Sequence, residues 1–292
     1  MIFFVSWLWC KPEPLHLSWM ESISLSSMPP LTDTHCHLDL ERFDPDRDQV
    51  LARAWETGLQ RILIPALDIP SCHRVLRLAE QEARLFAAVG VHPNSATTWN
   101  ANTLDALRKL AAHLKVVAIG EIGLDYYWNH APHDLQKRVL RAQLDLAAEL
   151  GLPVVLHNRD SSADLIPILT AWQAELAAAG HPLAQRPGVF HSWSAGAAEA
   201  EKVLAAGFYI GITGPVTFKN APALQSLVAS LPLSRLLIET DSPFLSPHPY
   251  RGKRNEPARV KRVAEKIAEL QHIPLEQVAR QTTRNAARLF GW

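Results

Sequence analysis

His35 and His37 flank Cys36 in the apolar-bounded run Leu31-Thr32-Asp33-Thr34-His35-Cys36-His37-Leu38. On a strand, residues two apart share a face, so the two imidazoles project together while Cys36 points the other way. Two imidazoles converging from one strand suit a divalent cation. Among thirteen histidines such a pair also arises by chance. It gains meaning only if distant segments bring further ligands to the same place.

The segments around it are those of a barrel. From Leu31 onward, short apolar runs alternate with helical patterns, which argues for βα units around a parallel sheet. Strands are expected at 31–37, 61–65, 85–91, 116–121, 153–157, 188–191, 207–212 and 235–239. Between them Leu135, Val139, Leu146 and Leu150 have helical spacing, with Gly151 placed to end the helix. After the last strand Val260, Val263, Ile267 and Leu270 repeat the pattern, with Pro257 near the first turn. Eight strand–helix pairs over residues 31–292 fit a TIM (β/α)8 barrel better than a doubly wound sheet. No repeat or internal linker marks a second domain.

Barrel enzymes collect their chemistry at the carboxyl ends of the strands. Those ends here are His35 and His37, then Ile119-Gly120-Glu121, Leu156-His157, Phe190-His191 and Glu239-Thr240-Asp241-Ser242-Pro243. A single histidine at a strand end is usually a hydrogen-bonded structural residue, and an Asp before Ser-Pro is usually a turn former. The joint placement of His35, His37, Glu121, His157, His191 and Asp241 in one mouth instead points to metal binding. Six mixed His and carboxylate ligands exceed the needs of one tetrahedral ion, so two divalent ions are expected, with Glu121 bridging them. Asp241 has the position to serve as both ligand and general base. The chemistry expected of such a site is hydrolysis by an activated water, with Asp241 and Glu121 as the catalytic carboxylates.

Thr34-His35-Cys36-His37-Leu38-Asp39, Gly90-Val91-His92-Pro93, Ile119-Gly120-Glu121-Ile122-Gly123-Leu124-Asp125-Tyr126 and Glu239-Thr240-Asp241-Ser242-Pro243 resemble motifs of the TatD family of metal-dependent hydrolases. So do Tyr250-Arg251-Gly252-Lys253-Arg254-Asn255-Glu256-Pro257 and Asn285-Ala286-Ala287-Arg288-Leu289-Phe290. The resemblance runs in order from about Leu31 to the C-terminus. It implies a metallo-dependent hydrolase barrel and a metal-dependent DNase, often a 3′→5′ exonuclease. It also implies that His35, His37, Glu121, His157, His191 and Asp241 fall on the family's ligand positions.

Other residues carry secondary expectations. His92 faces the same mouth as a substrate or outer hydrogen-bonding contact, or is a turn residue held by Pro93. Asp125 orients a ligand histidine or caps a loop. Arg251, Lys253 and Arg254 are the densest positive cluster, in the loop after the last strand. Arg251 and Lys253 are expected to bind substrate phosphate; the alternative is a solvated loop in which Arg254 pairs with Glu256. Tyr126, Tyr127 and Trp128 either stack on unpaired bases or pack on their own loop. Cys36 is expected to be buried packing.

Composition sets the outer limits. The chain has 292 residues, 48% of them apolar, enough for a large core. Its 29 basic and 29 acidic residues balance, which excludes a bulk electrostatic binder of nucleic acid and leaves only local patches. Three scattered cysteines fit a reducing cytoplasm. The apolar start, residues 1–9, is too short to span a bilayer and lacks the basic lead of a signal peptide. Residues 1–30 are expected to be a poorly ordered extension, with Met28 as the native start. The combined expectation is a cytoplasmic, monomeric phosphodiesterase acting on single-stranded DNA with two Mg²⁺, Mn²⁺ or Zn²⁺ ions. The competing expectations are an amidohydrolase or esterase for a small molecule, and a non-catalytic barrel.

Overall fold

A computed structural model describes residues 30–292. The N-terminal extension and the start expected at Met28 lie outside the described residues. The strands are β1 (Leu31–Asp33), β2 (Leu59–Pro65), β3 (Leu85–Val89), β4 (Val116–Asp125), β5 (Val154–Arg159), β6 (Gly188–Phe190), β7 (Tyr209–Ile212) and β8 (Leu236–Ile238). The intervening helices are α1 (Arg47–Glu56), α2 (Ile69–Gln81), α3 (Thr103–Ala111), α4 (His133–Leu150), α5 (Ser162–Ala178), α6 (Ala197–Ala205) and α7 (Pro222–Ser230). Two more, α8 (Val260–Gln271) and α9 (Leu275–Phe290), follow β8.

Each strand pairs in parallel with the next, from β1 through β8. The seam between β8 and β1 is joined beyond the regular strands. Thr34 N–H donates to Ile238 O at 3.2 Å, Asp241 N–H to His35 O at 2.8 Å and His37 N–H to Ser242 O at 2.8 Å. The architecture is the expected TIM (β/α)8 barrel. The reason is legible in β2, where Ile62, Leu63 and Ile64 are all fully buried because a parallel strand in a barrel is covered on both faces. Ile62 and Ile64 join the layer under the helices, whereas Leu63 joins a second cluster with Ala88, Val117, Val155, Val189, Tyr209 and Leu237. That second cluster draws on β2 through β8 and fills the barrel interior. Leu289 and Phe290 of α9 pack onto it, and Asn285 of α9 donates to Leu233 O and Leu236 O at the start of β8, each at 2.8 Å. The amino end of the barrel is thereby plugged, leaving the carboxyl end for chemistry.

The expected helices form as read. Gly151 follows α4 with φ 66° and donates its N–H to Ala147 O, a left-handed stop that suits glycine. A 3-10 turn, Pro257–Arg259, leads into α8. Several strand limits differ from expectation. β1 ends at Asp33, not His37, because the regular ladder stops there and the chain is held on both sides by single bonds, Cys36 N–H donating to Leu63 O of β2 at 3.1 Å while Cys36 bridges to Ser242 across the seam. β3 stops at Val89, β6 at Phe190 and β8 at Ile238, so His191 and Asp241 lie just past their strands. β4 and β5 run longer than expected, which places Glu121 and His157 inside their strands.

Candidate metal centre

Glu121 reaches the mouth through an irregularity in β4. Its register against β5 shifts between Ile119 and Ile122, and the Gly120–Glu121 peptide is cis. Gly120 lies so near β5 that a Cβ would stand 2.7 Å from Val155 Cβ, so only glycine fits. Asp241 sits beyond β8 with φ 54°, a left-handed conformation that Asp tolerates better than most residues. Its N–H bond to His35 O fixes it across the seam from the histidine pair.

The six expected ligand residues meet around one carboxylate. Glu121 Oε2 lies 3.3 Å from His35 Nε2 and 3.6 Å from His37 Nε2. Glu121 Oε1 lies 2.9 Å from His157 Nδ1 and 3.2 Å from His191 Nε2. Asp241 Oδ1 completes the first side, 3.5 Å from His37 Nε2 and 3.8 Å from His35 Nε2. The two Nε2 atoms of His35 and His37 are themselves 3.2 Å apart. The two oxygens of Glu121 thus face different histidines, and the two sides meet where His191 stacks on His35 with ring centroids 3.8 Å apart and joins His35 and Asp241 in a group that could hold an ion.

This donor set fits divalent cations. Nitrogen and oxygen ligands at about 2.0–2.2 Å from one ion stand roughly 3–3.5 Å from each other, close to the spacings here. Nδ1 of His35 and of His37 are buried without a hydrogen-bond partner, so the polar contacts of both rings are made through the Nε2 atoms that converge. Among the described residues, the ion-pair partners of Glu121 and Asp241 are histidines rather than lysine or arginine. Burial pushes the Glu121 carboxyl up, but His191, His35 and His92 together hold it well below the usual range. Burial likewise opposes ionisation of Asp241, and a hydrogen bond from His37 with nearby His191 and His35 holds it down. Burial first, then the neighbouring His191, lowers His35 to about 4. The two buried carboxylates that stay ionised call for positive charge. Against its burial His37 is raised to about 9 by Asp241 and Glu121, and His191 is raised by Glu121, so these rings meet that call here and a bound cation would take their place.

An outer ring of residues orients the ligands. Asp125 Oδ2 lies 2.9 Å from His157 Nε2 and accepts from Asn94 Nδ2 at 3.1 Å. Asp125 Oδ1 accepts the amides of Tyr127 and Trp128 at 3.0 and 3.1 Å. With Nε2–H given to Asp125, Nδ1 of His157 is the atom left for a cation, an arrangement common behind metal-bound histidines. Burial disfavours the His157 imidazolium, yet the hydrogen bonds to Asp125 and Glu121 outweigh it and raise the group to about 9. His92 joins the same cluster, its Nε2 3.7 Å from Glu121 Oε1. Its Nδ1 accepts the Asn94 N–H at 3.1 Å. Burial and then His157 lower His92 to about 3, so the ring is neutral with its hydrogen on Nε2. In that form His92 directs a donor into the site, and the ring also lies close enough to Glu121 and His157 to form a group that could hold an ion.

Two buried acids escaped sequence reasoning. Asp33 accepts from Thr240 Oγ1 at 2.6 Å and Thr240 N at 2.9 Å, tying β1 to the segment that carries Asp241. Glu239 accepts from Ser192 N at 2.9 Å and Thr34 Oγ1 at 3.2 Å and stands 3.9 Å from His191 Nδ1. Their adjacency to His35 and Asp241 in sequence was the available signal. Asn94 gave none, since an Asn after Pro reads as a turn.

The loop after β8 returns to the site at its far end. Asn255, fully buried, donates to Thr240 O at 2.8 Å, and its N–H donates to Pro243 O at 3.0 Å. Arg251 and Lys253 are exposed on this loop and make no ion pair among the described residues. The Arg251 guanidinium lies 4.1 Å over the Phe218 ring. Arg254 pairs with Glu256 at 3.7 Å, as the alternative expected, and is held more closely by Asp46 through two 2.7 Å bonds. Cys36 is buried in the core and free. No helix among the described residues is long and apolar enough to cross a membrane.

Comparison with known proteins gives a consistent result. The profile of the TatD related DNase family matches residues 32–291. An uncharacterized metal-dependent hydrolase, YabD, of Bacillus subtilis is 45% identical over 260 residues, covering 89% of this chain and 98% of that protein. The 3′-5′ ssDNA/RNA exonuclease TatD of Erwinia amylovora is 39% identical over 265 residues, covering 89% and 99%. The crystal structure of YjjV, a TatD homologue from Escherichia coli K12, superimposes with a TM-score of 0.82 at 33% identity, covering 90% of this chain and 98% of that one.

Proposed function

The chain belongs to the TatD related DNase family of metal-dependent hydrolases, and on that premise we propose that it is a two-metal phosphodiesterase trimming single-stranded DNA from the 3′ end. The observation that carries the reading is the division of Glu121, one oxygen facing His35 and His37 and the other facing His157 and His191. His35, His37, Glu121, His157, His191 and Asp241 would hold the divalent ions, with Glu121 shared between them. Such ions supply positive charge to a scissile phosphate and lower the pKa of water toward neutrality.

The chain's own groups do the rest. Asp241, kept ionised by its neighbours, takes the proton of the attacking water as general base. His92 offers its Nε2–H to a phosphate oxygen. Asp125 holds the His157 ring by Nε2. Arg251 and Lys253 grip a flanking phosphate from a loop anchored to Thr240 through Asn255. The 3′-5′ ssDNA/RNA exonuclease of Erwinia amylovora, 39% identical to this chain, supports the substrate class and the polarity.

A 5′-labelled single-stranded oligonucleotide tests the reading. Purified protein with Mn²⁺, Mg²⁺ or Zn²⁺ should give a ladder shortening from the 3′ end, abolished by chelator and regained on adding metal. Shortening from the 5′ end, chelator-insensitive cleavage, or turnover of RNA or small esters alone would overturn it.

A further inference from the structure

Four large apolar side chains stand out as exposed among the described residues: Leu114 at 95%, Tyr127 at 53%, Trp128 at 45% and Phe244 at 45%. Leu114 precedes β4, at the plugged end of the barrel. The three aromatics all stand at the catalytic end, just after β4 and β8. Tyr127 and Trp128 meet edge to face, with ring centroids 4.8 Å apart and planes at 88°. Arg159, the last residue of β5, lays its guanidinium 3.9 Å over Tyr127 and 5.6 Å from the Trp128 ring centroid. The pair is also wired to the site, because the Asp125 carboxylate that takes both of their amides through Oδ1 holds His157 through Oδ2.

We propose that Tyr127, Trp128 and Arg159 form a stacking platform for an unpaired nucleobase of the strand whose phosphate is cleaved. The inference rests on the phosphodiesterase reading and assigns the side chains that meet the free base faces of its single-stranded substrate. A half-exposed ring with a guanidinium over its neighbour offers two features that such a nucleotide uses together, a π-face for the base and a cation for its phosphate. A base inside a duplex has both faces covered and cannot use it. Phe244 repeats the pairing on the opposite side, with Arg42 at 5.8 Å from the ring centroid and His37 at 6.3 Å. Trp128 also has His130 beside it, with ring centroids 5.8 Å apart and planes at 28°, yet about half of each ring remains in water.

The test compares two single-stranded oligonucleotides, identical except that the last three nucleotides of one are abasic, using the metal-loaded enzyme. The wild type should cleave the normal 3′ end about 5- to 100-fold faster in kcat/KM, the range expected for stacking of one base. In the double variant Tyr127→Leu/Trp128→Leu that ratio should fall to near one, and Trp128→Phe should keep most of it. A variant that merely disturbs the loop slows both oligonucleotides alike and leaves the ratio at its wild-type value, which overturns the platform. A wild-type ratio near one overturns it as well, while cleavage of both strands leaves the phosphodiesterase reading standing. Failure of the wild type to cleave either oligonucleotide defeats that reading and the platform with it.

Discussion

Glu121 and Asp125 divide the work at the scale of single residues. Both are on β4, four residues apart, and both touch His157, Glu121 through Nδ1 and Asp125 through Nε2, each at 2.9 Å. Asp125 accepts four hydrogen bonds, from His157, Asn94, Tyr127 and Trp128. In Asp125→Asn an amide would place a donor against donors at one of its two positions. Metal affinity should therefore fall about 10–100-fold, as for other orienting carboxylates, when Mn²⁺ binding is titrated calorimetrically. A change of less than about twofold would contradict the role given to Asp125. The ligand candidates themselves were readable from the sequence because each ends a short apolar run. The orienting groups were harder to read, since Asn94 and Glu239 act through contacts with β4 and β6 that no local pattern encodes.

At the scale of elements, the barrel was legible as eight apolar runs, but their limits were not. The runs end where apolar residues end, whereas ladders end where the backbone finds another partner. Residues 34–37 divide their bonds between the seam to β8 and Leu63 of β2, so the regular ladder of β1 is cut to Leu31–Asp33. β4 continues through Glu121 to Asp125 because β5 keeps pairing with it as far as Arg159. The role of α9 was also hidden, since its amphipathic pattern does not say which barrel end it covers. Phe290, nearly fully buried, fills the interior cluster from below. Phe290→Ala should cost about 3–5 kcal/mol of stability in urea unfolding, the usual loss for a buried phenylalanine. A loss under about 1 kcal/mol would mean that α9 is a peripheral appendage.

The whole molecule separates stability from chemistry along the barrel axis. The amino end is closed by α9, and the carboxyl end gathers histidines and carboxylates that are largely buried yet open onto a rim of aromatic and arginine side chains. Overall charge is balanced, so attraction for a polyanion would have to come from this rim and from cations bound at the centre. The proposed sharing of two divalent ions by Glu121 is open to electron paramagnetic resonance of the protein loaded with two equivalents of Mn²⁺. Wild-type protein should give the multiline spectrum of an exchange-coupled Mn²⁺ pair, and Glu121→Ala the six-line signal of isolated ions. A six-line signal from the wild type would mean that Glu121 joins no such pair.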